Sequence, residues 1–270
     1  MTRLLKFRFY RSLTLLTSLG LSTACVTTSP TGRTQLQLVS EQSAIASSKQ
    51  AYTQMLAPLA EENKVDSKPN IKRRVDEIAK PIIEQAINMR PDTANWAWEL
   101  KIIDDPKTVN AWAMAGGKMA VYTGLIEVIK PNDDELAQVL AHEISHALAK
   151  HSVEKMSVSA ATALGVQAIG VAADLPPIAM QGGALLAAMA VSLPNSRTME
   201  SEADRIGIEL AARAGFNPHA AVTLWEKMGA ASQSRQPQLL STHPHPQARQ
   251  MALKTLIPQM MPLYEQAQGN

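Results

Sequence analysis

His142-Glu143-Ile144-Ser145-His146 lies inside the run from Asn132 to Lys150, and the reading of that run decides the rest of the chain. Asn132-Asp133-Asp134-Glu135 has capping-box form and opens an apolar series through Leu136, Val139, Leu140 and Ile144 at helical spacing. The spacing predicts one helix to about Lys150. On such a helix two histidines four residues apart project from one face, so both imidazoles can bind a single cation. Glu143 stands about 100° round the helix from His142, too far to join as a ligand, and is placed to take a proton from water. His151, about 180° from His142 on the same wheel, is expected to face away.

A third ligand has to come from elsewhere, and Glu200-Ser201-Glu202-Ala203-Asp204 is the densest acidic cluster on a later helical stretch. Glu202 continues into Arg205, Glu209 and Arg213 as a solvated charged stripe. Glu200 shares its side with Ala203, Gly207, Leu210 and Ala211. A carboxylate on the buried side needs a partner. Glu200 is therefore expected to be the third ligand, and Asp204, one turn on, to accept the free N–H of a ligand imidazole. Two imidazoles and a carboxylate with one open position select zinc, one ion per chain.

Working outward, Trp96 to Ile103 alternates apolar and polar residues as a half-buried strand does. Val109 to Ala115 and Lys118 to Thr123 are two further extended runs separated by Gly116-Gly117. A small antiparallel sheet is expected from them. Residues 41 to 60, 70 to 89, 199 to 214 and 219 to 230 carry helical spacing, with Pro81 inside the second stretch and Asn217-Pro218 capping the last. Ser157 to Leu193 is Ala- and Gly-rich and aliphatic, broken at Pro176-Pro177. Each half is shorter than the roughly 20 residues of a membrane span, so a covered helical hairpin or lid is expected. The class is α+β, mainly helical, in keeping with 46% hydrophobic and only 4% aromatic residues.

The first 24 residues read as a signal peptide: Arg3, Lys6, Arg8 and Arg11, then a short apolar stretch ending Ser22-Thr23-Ala24. Cys25, the only cysteine, follows directly, as in a bacterial lipobox, although Leu21 stands one place further from it than usual. Acylation of Cys25 would anchor the chain to a membrane, with residues 25–39 as the modified terminus and tether and 40–270 as the folded domain. Loss of the four leader cations changes the net charge from +2 to −2, which leaves no basic patch for nucleic acid.

With these residues in view, the sequence resembles the membrane-associated gluzincin metallopeptidases, the family of the CAAX prenyl protease, HtpX, BepA and LoiP. The resemblance is carried by His142 to His146, by Glu200 through Gly207, by Asn110-Ala111-Trp112 before Gly116-Gly117, by Thr31-Gly32-Arg33 and by Thr242-His243-Pro244. Its lipobox makes it look most like LoiP. The resemblance implies a zincin-type domain with the motif on a central helix, and endopeptidase activity in quality control of damaged or misassembled envelope proteins. It further implies that Ala113, Met114, Ala115, Gly116 and Gly117 offer a strand edge to substrate, and that His243 acts as a removable fourth ligand. His243, His245 and Arg249 are candidates to contact zinc or the oxyanion. Without aspartate after Cys25, the implied address is the periplasmic side of the outer membrane. The competing class is a lipid-anchored chaperone-like protein that keeps a zinc site and turns over nothing; Glu143, the base, counts against it.

Overall fold

The computed structural model describes residues 26–173, 196–232, 237–243 and 246–269. The proposed leader and Cys25 lie outside them. So do His245 and the larger part of the aliphatic stretch, 174–195.

Residues read from composition as part of a tether instead form a hairpin. Strand β1 (Val26–Thr28) pairs antiparallel with β2 (Thr34–Leu36), and Ser29 and Gln35 are buried against the domain. Helix α1 (Glu41–Glu61) begins at Ser40, whose side chain accepts from the Ser43 amide, and α2 (Pro69–Met89) begins on a proline. Val75, Ile78, Ala79, Ile82 and Ala86 form the buried stripe of α2.

Strands β3 (Glu99–Ile103), β4 (Ala111–Met114) and β5 (Lys118–Tyr122) make one sheet in the order β3-β5-β4. The antiparallel pairing is that of β4 with β5, across the turn at Gly116 and Gly117. Both glycines have φ near +80°. A Cβ on Gly117 would meet the Trp98 ring at 2.6 Å, so a side chain there would force the ring away. Strand β3 joins parallel on the far side of β5, which leaves β4 at the edge.

Helix α3 (Thr123–Ile129) leads to α4 (Asp133–Leu148), which opens on the expected capping box between Asn132 and Glu135. Burial of α4 is close to complete, because α2, β4 and a later helix α7 (Ala220–Ser232) pack around it. The chain breaks at Lys150, which takes φ +56°, and α5 (His151–Ala172) sets off in a new direction. Beyond residue 156 the described part of α5 leaves Leu164 and Ile169 solvent-facing. None of the described helices is long and apolar enough to cross a membrane.

Helix α6 is described over 196–213 and crosses α4 at Gly207. After α7 come the short α8 (Gln238–Thr242) and the terminal α9 (Pro246–Ala267). Leu253, Ile257 and Met260 close the core from α9. The result is a mainly helical α+β domain with one central helix.

Candidate metal centre

Helix α4 presents His142 and His146 from one face, with their Nε2 atoms 3.1 Å apart. Glu200 on α6 reaches both, Oε2 at 3.3 Å from His142 Nε2 and Oε1 at 3.5 Å from His146 Nε2. His243, at the C-terminal end of α8, brings Nδ1 to 2.9 Å from Glu200 Oε2 and 3.3 Å from His142 Nε2. Donor atoms of these four buried residues all lie within 4.8 Å of one another. The set fits a zinc ion: imidazole nitrogens and a carboxylate converge on one point.

Glu143 points into the same space. It is only 4% exposed, and its Oε1 has no hydrogen-bond partner; His243 Nε2 lies 3.3 Å from it. A buried carboxylate oxygen left unpaired is costly unless something visits it, which suits a proton acceptor for water.

Behind the ligands, Asp204 Oδ1 is 3.2 Å from His142 Nδ1. Arg249 of α9 holds Asp204 with two hydrogen bonds, Nε to Oδ2 at 2.7 Å and Nη2 to Oδ1 at 2.5 Å, while its guanidinium stacks on Trp225. Arg249 Nη1 lies 3.0 Å from Glu200 Oε2, but no acceptor is aligned with it for a hydrogen bond.

Burial and the Arg249 charge both work against a proton on His142, yet the Asp204 and Glu200 carboxylates outweigh them and raise it to about 9. Burial, then the neighbouring His142 and His151, push His146 well below its ordinary value. Burial would raise Glu200, but bonds to His142 and His243 hold it far below the usual carboxylate range. Without metal the cluster thus keeps positive charge on His142 beside the Glu200 anion. Zinc would take the place of that proton.

Strand β4, carrying Ala113 and Met114, packs against α4, and Ala115 to Gly117 form the turn after it. Its outer side has no strand partner among the described residues. Leu239 at the start of α8 donates its amide to Val109 O just before β4, so the edge and the His243 segment touch. An apolar recess lined by Val139, Leu224, Trp225, Met228 and Leu253 opens beside His142 and Glu143. His219 is exposed, as its place after Pro218 suggests.

Two expectations need correction. His151 stays outside the ligand set, as expected, but it does not turn from His146: its Nδ1 is 2.7 Å from His146 Nδ1, because the break at Lys150 starts a new helix and the α4 wheel no longer applies. Glu202 is no part of a solvated stripe either. It is 6% exposed and lies 3.1 Å from His151 Nε2, because the β1–β2 hairpin covers that side of α6. Arg33 reaches it from the hairpin, and helical periodicity holds no signal for such a contact; the Thr31-Gly32-Arg33 motif was the only clue.

Residues 67–257 match peptidase family M48. The chain is 40% identical to the mitochondrial metalloendopeptidase OMA1 of Schizosaccharomyces pombe over 164 residues, which is 60% of this chain and 47% of that protein. It is 31% identical to the OMA1 of Saccharomyces cerevisiae over 180 residues, 63% of this chain and 50% of that one. It is 33% identical to the beta-barrel assembly-enhancing protease of Escherichia coli K12 over 168 residues, 59% of this chain and 34% of the relative. The matched region spans half or less of the length of these relatives.

Proposed function

The chain belongs to peptidase family M48, and from that premise we propose that it is a zinc-dependent endopeptidase of the bacterial envelope, acting on misfolded or misassembled envelope proteins. One observation carries this reading. His142, His146 and Glu200 converge on one point, and Glu143 Oε1, which accepts no hydrogen bond, lies 3.3 Å from the His243 ring beside them. A metal-binding relic has no need of that fourth group.

In this reading His142, His146 and Glu200 hold the metal. The chemistry a bound zinc supplies there is Lewis-acid polarisation of the scissile carbonyl and acidification of the attacking water. Glu143 accepts the proton of that water and returns it to the leaving amine. Asp204, fixed by Arg249, orients His142. Nη1 of Arg249, which makes no hydrogen bond although Glu200 Oε2 lies 3.0 Å away, is the donor proposed for the developing oxyanion.

Substrate is proposed to lie as an added strand along β4. Backbone pairing at a sheet edge accepts many sequences, which suits a protease of damaged proteins. The recess beside His142 would take an apolar side chain next to the scissile bond.

His243 stands where substrate or water must enter, and we propose that it is a removable fourth ligand of a resting state. A purely structural zinc closed by His243 is the competing reading, and turnover decides between them. The envelope address rests on the leader, on Cys25 as an acylated anchor of the outer membrane, and on likeness to the Escherichia coli relative. The lipidated arrangement resembling LoiP belongs to the same proposal. The testing experiment is digestion of unfolded casein by purified protein with and without chelator, beside Glu143→Gln. Casein left intact by the zinc-loaded parent would refute the enzyme.

A further inference from the structure

Behind His146, on the side away from the cluster, lies a chain of buried polar contacts that the proposed chemistry does not use. His146 Nδ1 is 2.7 Å from His151 Nδ1, and His151 Nε2 is 3.1 Å from Glu202 Oε2. Arg33 Nε donates to Glu202 Oε2 at 2.6 Å, and the hydroxyls of Ser29 and Thr31 both donate to Glu202 Oε1. The same Arg33 forms a two-pronged pair with Glu154 at 2.9 and 2.6 Å. Gln35 donates to Ala149 O at 2.6 Å, just past the end of α4.

Only one arrangement of protons satisfies this chain and still leaves a ligand. An ionised carboxylate accepts and cannot donate, so the proton between His151 and Glu202 sits on His151 Nε2. With one proton on that ring, His151 Nδ1 is an acceptor, and His146 must supply the hydrogen from its own Nδ1. That leaves His146 Nε2 with a lone pair aimed at His142 and Glu200. The opposite order would put a second proton on His151 and a hydrogen on His146 Nε2, where the metal has to bind. His151 is 1% exposed and Glu202 6%, so water offers neither an alternative partner.

We propose that His151 is a positioning residue for the metal, and that Arg33, Ser29 and Thr31 of the amino-terminal hairpin, acting through Glu202, lock its tautomer and with it the ligating form of His146. This rests on the zinc peptidase reading and deepens it. The family match begins at residue 67, so the hairpin residues lie outside the matched core and yet complete the site. Asp204 does the same task for His142 from inside that core. Each ligand imidazole then has its own rear acceptor, one supplied directly by a carboxylate and one through a second ring.

The test measures zinc affinity of the full chain at neutral pH by competition with a chromophoric chelator, together with the melting temperature of the metal-free protein. His151→Phe keeps a ring and removes both nitrogens; it is expected to weaken zinc by about 10–100-fold. His151→Gln can accept from His146 through its oxygen and donate to Glu202 through its amide, and is expected to recover most of that loss. Glu202→Gln and Arg33→Ala should weaken zinc as well, while Glu209→Gln, which faces Arg213 near the solvent, should not. A zinc-binding parent whose folded His151→Phe and Arg33→Ala variants match it within about twofold overturns the proposal, and so does a His151→Gln no better than His151→Phe. If His151→Phe does not fold, Arg33→Ala and Glu202→Gln decide alone, with parental affinity in both as the refuting result. A parent that binds no zinc defeats the peptidase reading instead.

Discussion

A Cβ on Gly207 would stand 3.0 Å from the backbone nitrogen of His142 and 3.1 Å from its Cα. Helix α6 therefore crosses α4 at backbone contact, directly over the first metal-ligand candidate. That crossing is what lets Glu200 and Asp204, two turns and one turn earlier on α6, reach His142 from two sides. Gly207→Ala is expected to force the helices apart, costing about 1–3 kcal/mol of stability by overpacking. Zinc affinity should fall with it. Chemical denaturation with parallel metal titration checks both, and an alanine variant with parental stability and affinity would show that the crossing has slack.

For the two roles assigned around the metal, the expected outcomes differ in kind. Glu143→Gln should keep zinc and lose about 10²–10⁴ in turnover, since only the proton acceptor is removed. Glu200→Gln should lose zinc itself, while Asp204→Asn should weaken zinc by about 10–100-fold. Metal content and peptide hydrolysis measured on the same preparations separate these cases. Loss of metal in Glu143→Gln would contradict the division of labour.

His243 is expected to slow the resting protein. Its ring lies 2.9 Å from Glu200 and 3.3 Å from Glu143, in the space that the proposed reaction assigns to a substrate carbonyl and water. His243→Ala should raise hydrolysis of a short peptide, by at most the inverse of the fraction of molecules already open. Initial rates on the zinc-loaded protein check this; a lower rate would mean that the ring helps the reaction instead of obstructing it.

Glu135 anchors the start of the central helix. It is buried, and it accepts from the Asn132 amide at 2.9 Å, Thr223 Oγ1 at 2.8 Å and Lys227 Nζ at 2.6 Å. Glu135→Ala is expected to cost about 2–3 kcal/mol at neutral pH, from the lost cap and the orphaned partners. Burial alone would raise the Glu135 carboxyl, but Lys227 and the Asn132 amide bring it below its ordinary 4.5. A depressed value means stability that is present above about 4.5 and is lost as pH falls through the folded-state value. The gap between parent and variant in urea midpoints should therefore narrow in acid; a gap independent of pH would rule out the ionised carboxylate as its source.

The helix-borne part of the site was legible because periodicity and capping are local. Asn132 and Glu135 marked the start of α4, the i, i+4 histidines marked its functional face, and the small residues around Glu200 separated it from Glu202. What escaped was the far side of His146; that of His142 was expected, with Asp204 behind it. His151 was assigned by extending the α4 wheel through Lys150, where a left-handed residue ends the helix. Glu202 looked solvated because a wheel counts only residues of its own helix, and the covering group, Arg33, comes from 169 positions earlier. The sheet shows the same limit. Alternation identified β3, and Gly116-Gly117 separated the two runs after it, but neither signal says that β5 takes the middle of the sheet, parallel to β3, with β4 at one edge.

The most direct test of the central claim is the metal dependence of peptide-bond cleavage by the purified chain. We expect one zinc per molecule, digestion of unfolded casein, loss of digestion when a chelator strips the zinc, and its return when zinc is restored at one equivalent. The Glu143→Gln protein, still loaded with zinc, should stay inactive throughout. Cleavage at the parental rate after complete metal removal, or by zinc-loaded Glu143→Gln, would contradict the account.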